Sequence, residues 1–343
     1  MIETDVTRML GIKHPIIGAP MGPFYTTKLT IAISEAGGCG VLSHTNLFGK
    51  NPYKELKNNM LEVVEHTDKP FGFNVRVARM QPEANMLCRL IPKFIKDHPK
   101  VKEQCVYAIT SAGSARMLQS SKSFKRLQEI SSIKNFHVAP APWLADKCVD
   151  AGVDGLVVTG TEGGGHQSYE KIGLIVLLQK IKQKYPDIPV VACGSVGNGI
   201  GLASCLAAGA GAVAMGTRFI SSKDSEFHDK YKGIIPPAIC SDTTLVTGVL
   251  APIRLWKNNY TTTHDLVTSK EEKIAKEEAM TLDDLIEEQK HYEEIYYGHV
   301  EDGATPLGQC CGVIDSIETV KDIIDDVISV AEKYIKNAYS MIK

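Results

Sequence analysis

Short apolar runs alternate with longer amphipathic runs along roughly the first 220 residues. Each apolar run is bounded by glycine or proline and is nearly continuous in apolarity, which is typical of parallel strands buried on both faces. The eight runs cover residues 15–19, 40–44, 70–75, 105–110, 136–140, 154–160, 189–194 and 212–216.

Helical periodicity fills the intervals between these runs. The predicted helices cover residues 29–36, 53–65, 84–95, 115–130, 143–151, 170–184 and 200–208. Eight strands that alternate with helices is the number found in a (β/α)8 TIM barrel. The sequence therefore predicts an α/β fold of this type, with an open doubly wound sheet as the alternative.

The alternation stops after residue 218. Residues 243–249 suit a strand or an extended segment, 269–297 are charged and helical, and Thr281 with Asp284 resembles a capping box that opens a helix. We expect a barrel core over residues 1–221, a helical insertion after the eighth strand over 222–297, and a closing segment over 298–343. The insertion is expected to cap the barrel mouth, and 313–343 to form an amphipathic helix.

Charge and cysteine content narrow the function classes. Lys plus Arg number 38 and Asp plus Glu 40, so the net charge of −2 gives no general attraction to nucleic acid or an anionic membrane. The nine cysteines include no C-x-x-C spacing, so no metal site is expected. Acidic residues near Met1 argue against a secretory leader, and we expect a cytoplasmic protein. The uncharged residues 199–216 are interpreted as a buried helix, a turn and a strand.

Glycine-rich turns follow the seventh and eighth predicted strands. Glycine lets backbone N–H groups approach a ligand, and this end of the barrel commonly binds phosphate. We therefore interpret these turns as a phosphate cradle; the alternative is that the glycines only make tight turns. Neither a G-x-G-x-x-G nor a P-loop pattern is present. The cradle residues are Gly194, Ser195, Gly197, Gly216 and Thr217, and Met215 before them is a further candidate binding residue.

His166 follows three consecutive glycines after the sixth predicted strand. A histidine on such an open, mobile loop is expected to titrate near neutral pH and to act as a general acid or base. The alternative is a loop histidine that bonds a backbone carbonyl. Glu162 in the same loop either orients a neighbouring group or is a solvated carboxylate.

Several of these motifs resemble one known family. Residues 15–21 (PIIGAPM), 35–40 (EAGGCG), 160–166 (GTEGGGH), 189–195 (PVVACGS) and 215–219 (MGTRF) are similar to the FMN-dependent nitronate monooxygenase (2-nitropropane dioxygenase-like) family. The resemblance extends to residues 308–314. The family also contains flavin-type enoyl-ACP reductases and NAD(P)H:quinone reductases.

The resemblance implies FMN as cofactor and His166 as the catalytic residue. The phosphate would bind at Gly194, Ser195, Gly216 and Thr217, in agreement with the cradle. The residues implied around the rest of the flavin are Ala19, Pro20, Met21, Asn74, Gly164 and Gly165. Gly163 and Ser168 depart from the usual loop of the family.

The implied reaction is oxidation of an alkyl nitronate by O2 to a carbonyl compound and nitrite. The alternative is an NAD(P)H-dependent reductase of an enoyl thioester or a quinone, and residues 227–232 look closer to that branch. A flavin-storing scaffold is the non-enzymatic alternative. The partners expected are a small-molecule substrate, NAD(P)H in the reductase case, and a second copy in a homodimer.

Overall fold

A computed structural model describes residues 2–79, 81–248, 251–267 and 269–342. Its strands are β1 Ile16–Gly18, β2 Gly40–Leu42, β3 Phe71–Arg76, β4 Cys105–Ser111, β5 Lys134–Ala139, β6 Gly155–Thr159, β7 Gly165–His166, β8 Val190–Cys193, β9 Ala212–Met215, β10 Thr243–Thr247 and β11 Pro252–Trp256. All eight predicted barrel strands are present.

The barrel sheet has the order β1-β9-β8-β6-β5-β4-β3-β2, and its neighbours are parallel. The ends of this order meet, because Ile17 pairs with Cys39 beside β2. The Gly18 N–H donates to the Cys39 carbonyl at 2.9 Å, and the Cys39 N–H donates to the Ile16 carbonyl at 2.9 Å. The sheet therefore closes, which confirms the TIM barrel; the open doubly wound sheet is wrong.

Helices surround the barrel. They are α1 Asp5–Leu10, α2 Thr27–Glu35, α3 Pro52–His66, α4 Ala84–Asp97, α5 Pro99–Gln104, α6 Arg116–Gln119, α7 Lys122–Gln128, α8 Pro142–Asp150, α9 Leu174–Lys184, α10 Gly199–Ala207, α11 Thr217–Ile220, α12 Asp229–Gly233, α13 Asn259–Thr262, α14 Lys270–Ala279, α15 Leu282–Glu294 and α16 Val320–Ser340. As predicted, residues 199–216 contain a helix, a turn and a strand.

Three predicted helix bounds are wrong. The segment 115–130 is two helices, because Ser121 starts α7 and its hydroxyl donates to the Cys88 carbonyl at 2.9 Å. The helix predicted from residue 170 begins at Leu174. The closing helix predicted from 313 begins at Val320, where the Thr319 side chain accepts from the Asp322 N–H. Residue 343 lies outside the described residues.

The barrel interior is apolar. Side chains from β1, β4, β5, β6 and β8 fill it, and α1 adds Val6 and Leu10 at the amino-terminal end. The Thr4 hydroxyl of the α1 cap donates to the Gly211 carbonyl at 2.6 Å. Because α1 closes that end, ligand access falls to the carboxyl ends of the strands.

The insertion 222–297 contacts loops at those carboxyl ends. The strands β10 and β11 form an antiparallel pair, and β11 also pairs with β7, directly after β6. The Phe48 N–H after β2 donates to Glu293 at 2.5 Å, and Tyr296 stacks on Phe24 after β1 with 6.2 Å between ring centroids. We retain the division into 1–221, 222–297 and 298–343 as a proposal.

The insertion is not only helical. The strand predicted at 243–249 is present as β10, although 249 lies outside the described residues. The strand β11 was not predicted. The capping box of Thr281 with Asp284 at the start of α15 is confirmed.

The described residues contain no candidate membrane helix, and their cysteines are unpaired. Within the ranges described above, no helix is long and apolar enough to cross a membrane. All nine cysteines fall in those ranges and are free thiols. Within the same ranges, no cluster of His, Cys, Asp and Glu suits a metal ion.

Candidate active site

Loops after β1, β6, β8 and β9 converge at the mouth of the barrel. A Cβ built on Gly194 would stand 2.8 Å from the Gly160 carbonyl oxygen and 3.1 Å from the Gly163 Cα, and Gly194 has φ +111°. The β6 and β8 loops therefore touch through glycine backbones. A Cβ on Gly216 would stand 3.6 Å from the Ala19 Cβ and 3.7 Å from the Met21 sulfur, which is ordinary contact.

The carboxyl-terminal segment completes this cradle. The Gly308 N–H donates to the Thr217 hydroxyl at 3.1 Å. A Cβ on Gly164 would approach the Gly308 nitrogen to 2.8 Å, and one on Gly197 would approach the Cys310 carbonyl oxygen to 3.2 Å. The motif around residue 308 thus lies beside the glycine turns, although about a hundred residues separate them in the sequence.

Met215 does not share this environment. Its side chain is 1% exposed and belongs to the apolar core outside the barrel. Its carbonyl accepts from the Ala19 N–H at 3.0 Å. A cofactor contact by Met215 is thus restricted to its backbone, since the alternation of side chains along β9 turns this one outward.

The mouth fits a flavin nucleotide. At the Gly216 turn an added Cβ would meet its neighbours only at ordinary contact distance, and the start of α10 directs helix-dipole charge toward the β8 loop, which favours a phosphate there. The Asn74 amide, 2% exposed, donates to the Ile109 carbonyl at 3.1 Å and the Ser111 hydroxyl at 3.2 Å. Half-buried Pro20 and Met21 line the β1 side. A Cβ on Gly165 would find no atom within 4 Å, so space remains open beside the loop.

His166 lies in an ordered strand. In β7 it pairs with Ile253 of β11, and its ring is nearly parallel to that of Tyr292, with 6.3 Å between centroids. Its Nε2 is buried and has no hydrogen-bond partner in the described chain. The expectation of a mobile, open loop is wrong, because the insertion adds strands to it.

His166 is neutral at pH 7. Burial lowers the pKa of its imidazole to about 4, and the positive charges of Arg76 and Lys273 add to this effect. The expectation that it titrates near neutral pH is therefore wrong. The neutral ring can still accept a proton at the free nitrogen or, in the other tautomer, donate a hydrogen bond there.

Three side chains hold the loop before His166. Both Glu162 carboxylate oxygens accept from the Leu174 N–H at 3.1 Å, so Glu162 caps α9. The Gln167 amide donates to the Gly163 carbonyl at 2.6 Å, and the Arg254 Nε donates to the Thr161 carbonyl at 2.7 Å. Of the two alternatives for Glu162, the orienting role is the one seen.

Two residues at the mouth were missed from the sequence. Arg76 is the last residue of β3, two residues after Asn74. Because the active-site residues of this barrel type lie at the carboxyl ends of the strands, its place in the sequence could have identified it. Tyr292 comes from α15 in the insertion, and no local pattern connects it with the barrel.

The chain as a whole is similar to known flavoenzymes. Residues 3–329 match the nitronate monooxygenase family. The chain belongs to that family. It is therefore a flavin-dependent oxidoreductase, and the expected resemblance is confirmed.

Individual relatives differ in how much of the chain they match. A nitronate monooxygenase of Paraburkholderia phytofirmans is 28% identical over 74% of this chain and 76% of its own. A (3aS,4S,5R,7aS)-5-hydroxy-7a-methyl-1-oxo-octahydro-1H-indene-4-carboxyl-CoA dehydrogenase of Rhodococcus jostii is 27% identical over 97% of both. The structure of FabK from Thermotoga maritima is 29% identical over 100% of both chains, with a TM-score of 0.79.

Proposed function

We propose that this protein is an FMN-dependent oxidoreductase that oxidises alkyl nitronates with O2 to a carbonyl compound and nitrite. The observation that carries the proposal is the buried, unpartnered Nε2 of a neutral His166 beside a glycine cradle at the barrel mouth. Membership of the nitronate monooxygenase family supports it.

The cradle residues would hold the FMN phosphate, and Ala19, Pro20, Met21 and Asn74 would lie along the ring system with Gly164 and Gly165. FMN when bound supplies the electron acceptor, which no side chain of this site can replace. The protein contributes position: Asn74 is fixed by two hydrogen bonds to β4, and the Met21 N–H is held by the Ser43 hydroxyl at 2.7 Å.

His166 would take the proton from a neutral nitroalkane at its free Nε2. A base with a pKa near 4 is weak but is fully deprotonated at pH 7. With a nitronate, which has already lost that proton, the same nitrogen in its protonated tautomer would donate a hydrogen bond. The Tyr292 ring lies nearly parallel beside the imidazole, with 6.3 Å between the ring centroids.

A second candidate is oxidation or reduction of an acyl thioester with a pyridine nucleotide. It is favoured by coverage: the carboxyl-CoA dehydrogenase of Rhodococcus jostii matches 97% of the chain, including the insertion, whereas the nitronate monooxygenase matches 74%. In this case His166 would orient the substrate or protonate it through its neutral N–H.

Anaerobic mixing of the yellow holoenzyme with propane-2-nitronate, NADH or NADPH tests both candidates. Rapid bleaching of the flavin by the nitronate, followed by nitrite release on admitting O2, is expected. Bleaching by a pyridine nucleotide alone, with none by the nitronate, would contradict the first candidate and support the second. Protein that purifies with another flavin would contradict the assignment of FMN.

A further inference from the structure

The Arg76 side chain is held firmly at the mouth of the barrel. Its backbone N–H donates to the Nδ1 of His44 at 3.0 Å. Its Nη2 donates to the Oδ1 of Asn46, whose amide in turn contacts Glu83 and Gln81. The position of the guanidinium is therefore fixed from the β2 side.

One donor of the Arg76 guanidinium, the Nε, is buried and has no hydrogen-bond partner among the described residues. A Cβ on Gly22 would lie at an ordinary contact distance of 3.6 Å from both its Cζ and its Nε, so this part of the guanidinium lies beside the β1 loop. An arginine keeps its charge when buried, and a buried donor without an acceptor is costly. The site is therefore incomplete without an acceptor.

Arg76 lies one layer above Asn74. Residues two apart on a strand face the same side, and the rise between them is about 6.6 Å. Because Asn74 would contact the flavin, Arg76 would stand on the substrate side. The positive charge of Arg76 adds to the lowering of the pKa of His166 and opposes the rise that burial causes in the pKa of Tyr292, so the three residues share this space.

We propose that Arg76 binds the oxyanion of the substrate, opposite the neutral imidazole of His166. The chemistry it fits is a planar, resonance-delocalised oxyanion next to the reacting carbon, as in a nitronate or the enolate of a thioester. The inference rests on the proposed function, because it places the substrate over the flavin.

The surroundings of Arg76 leave its Nε free to donate to a ligand. The Glu83 carboxylate favours the charge of Arg76 but does not bond the guanidinium. It lies 3.3 Å from the Nε2 of His44 and 3.4 Å from the Asn46 amide. His166 is neutral and cannot compete with a ligand as an ion-pair partner of Arg76. A bound oxyanion would accept the hydrogen bond from the Nε.

The first test is binding of an inert anion to holoenzyme. Isobutyrate shares the size, the charge and the two-oxygen anionic group of propane-2-nitronate, and its binding is read from the visible difference spectrum of the bound flavin. Arg76→Met should raise its Kd about 10- to 100-fold, the range for loss of one charge-assisted hydrogen bond. Arg76→Lys should give an intermediate Kd for isobutyrate. The Kd of neutral isobutyramide should be unaffected by either substitution. Arg89→Met, an exposed arginine on α4, is the matched control.

The second test distinguishes the two sources of the oxyanion. A nitronate is already an anion in the ground state, so Arg76→Met should raise its KM with kcat nearly unchanged. A thioester acquires the oxyanion only in the transition state, so with an enoyl-CoA and NAD(P)H the loss should fall on kcat.

Three outcomes decide between the oxyanion site, a cofactor role for Arg76 and the proposed function. Isobutyrate that does not bind to the wild type, or binds equally to Arg76→Met, contradicts it. Flavin loss from both Arg76 variants would assign the arginine to the cofactor instead. Isobutyrate binding that depends on Arg76, with no turnover of either substrate, would contradict the proposed function and leave the oxyanion site standing.

Discussion

Two histidines at the carboxyl end of the barrel are held neutral. Burial lowers the pKa of His137 to about 4, as it does for His166, and the His137 ring lies 2.7 Å from the Thr110 hydroxyl through its Nδ1. The two differ in what remains free. His137 is 1% exposed and engaged within the barrel wall, whereas the Nε2 of His166 is buried and has no hydrogen-bond partner among the described residues. Chemistry is therefore expected from His166 and acid sensitivity from both.

Replacing His166 should impair turnover and leave the fold intact. We expect His166→Ala to reduce kcat about 10²- to 10⁴-fold with a neutral nitroalkane, because proton transfer is lost. The free energy of unfolding should fall by about 1 kcal/mol, since the ring is half-buried.

The conservative variant separates the two roles of this residue. His166→Gln keeps a hydrogen-bonding amide but cannot accept a proton, so it should recover activity with the preformed nitronate and not with the nitroalkane. Wild-type rates in His166→Ala with both substrates, measured by nitrite release, would show that the residue is structural.

The stability of the protein should fall as the pH drops from about 6.5 to about 4. In that window the unfolded state binds protons that the folded imidazoles exclude, so the neutral histidines stabilise the fold above it and lose this contribution below. For His137 the difference in pKa from 6.5 to about 4 corresponds to about 3 kcal/mol.

Urea unfolding at several pH values measures this effect. His137→Asn retains a partner for Thr110 and should flatten the dependence of the unfolding free energy on pH. His66→Asn, at an exposed position on α3, should leave it unchanged. Equal slopes in all three proteins would show that His137 titrates normally.

At the scale of elements, the proposed cradle consists of glycine turns. The glycines of these turns differ in whether the backbone conformation and the neighbouring atoms would allow a side chain. At Gly194 both the positive φ and the Gly160 carbonyl exclude a side chain, so a substitution there would strain the fold itself. At Gly216 the surrounding atoms leave ordinary contact distance. A side chain there would extend into the cradle, so this position tests ligand binding with less disturbance of the fold.

Gly216→Val should yield a folded protein that lacks flavin. The added side chain would occupy the space proposed for the phosphate, while the barrel strands on either side keep their pairing. Absorbance near the flavin bands and circular dichroism measure the two outcomes. Gly233→Ala, where an added Cβ meets no atom within 4 Å, is the control and should purify yellow. Full flavin content in Gly216→Val would contradict the phosphate assignment.

At the scale of the whole molecule, a barrel closed at its amino-terminal end by α1 is covered at the other by residues 222–297. The cover is attached at several loops: β11 pairs with β7, Tyr296 stacks on Phe24, and Glu293 accepts from the Phe48 N–H. These contacts are spread around the mouth. We therefore propose that the insertion controls access to the site rather than holding the cofactor.

Weakening one attachment should alter substrate binding more than flavin binding. Tyr296→Ala removes the stacked pair with Phe24, worth about 1 kcal/mol. We expect KM to rise about 3- to 10-fold with flavin content unchanged. Tyr339→Ala, at a 77% exposed position on α16, is the control. An unchanged KM in Tyr296→Ala, or loss of flavin from it, would contradict this role for the cap.

The sequence by itself determined the barrel and the position of the glycine turns that we propose as the cradle. Strands such as β6 and β8 are local runs of buried residues, and the turns after them carry glycines whose backbone freedom is also a local property. Both can be seen within a few residues. His166 was found in the same way, from the glycines before it.

Only the tertiary structure decided the environment of that histidine. Its low pKa depends on burial by β11 and α15, which lie about 90 and 120 residues further along the chain. The stacking of His166 on Tyr292 and the burial of the Arg76 Nε likewise depend on segments that are distant in the sequence. Strand pairing, desolvation and charge proximity between distant segments are properties of the folded chain, so no local pattern encodes them.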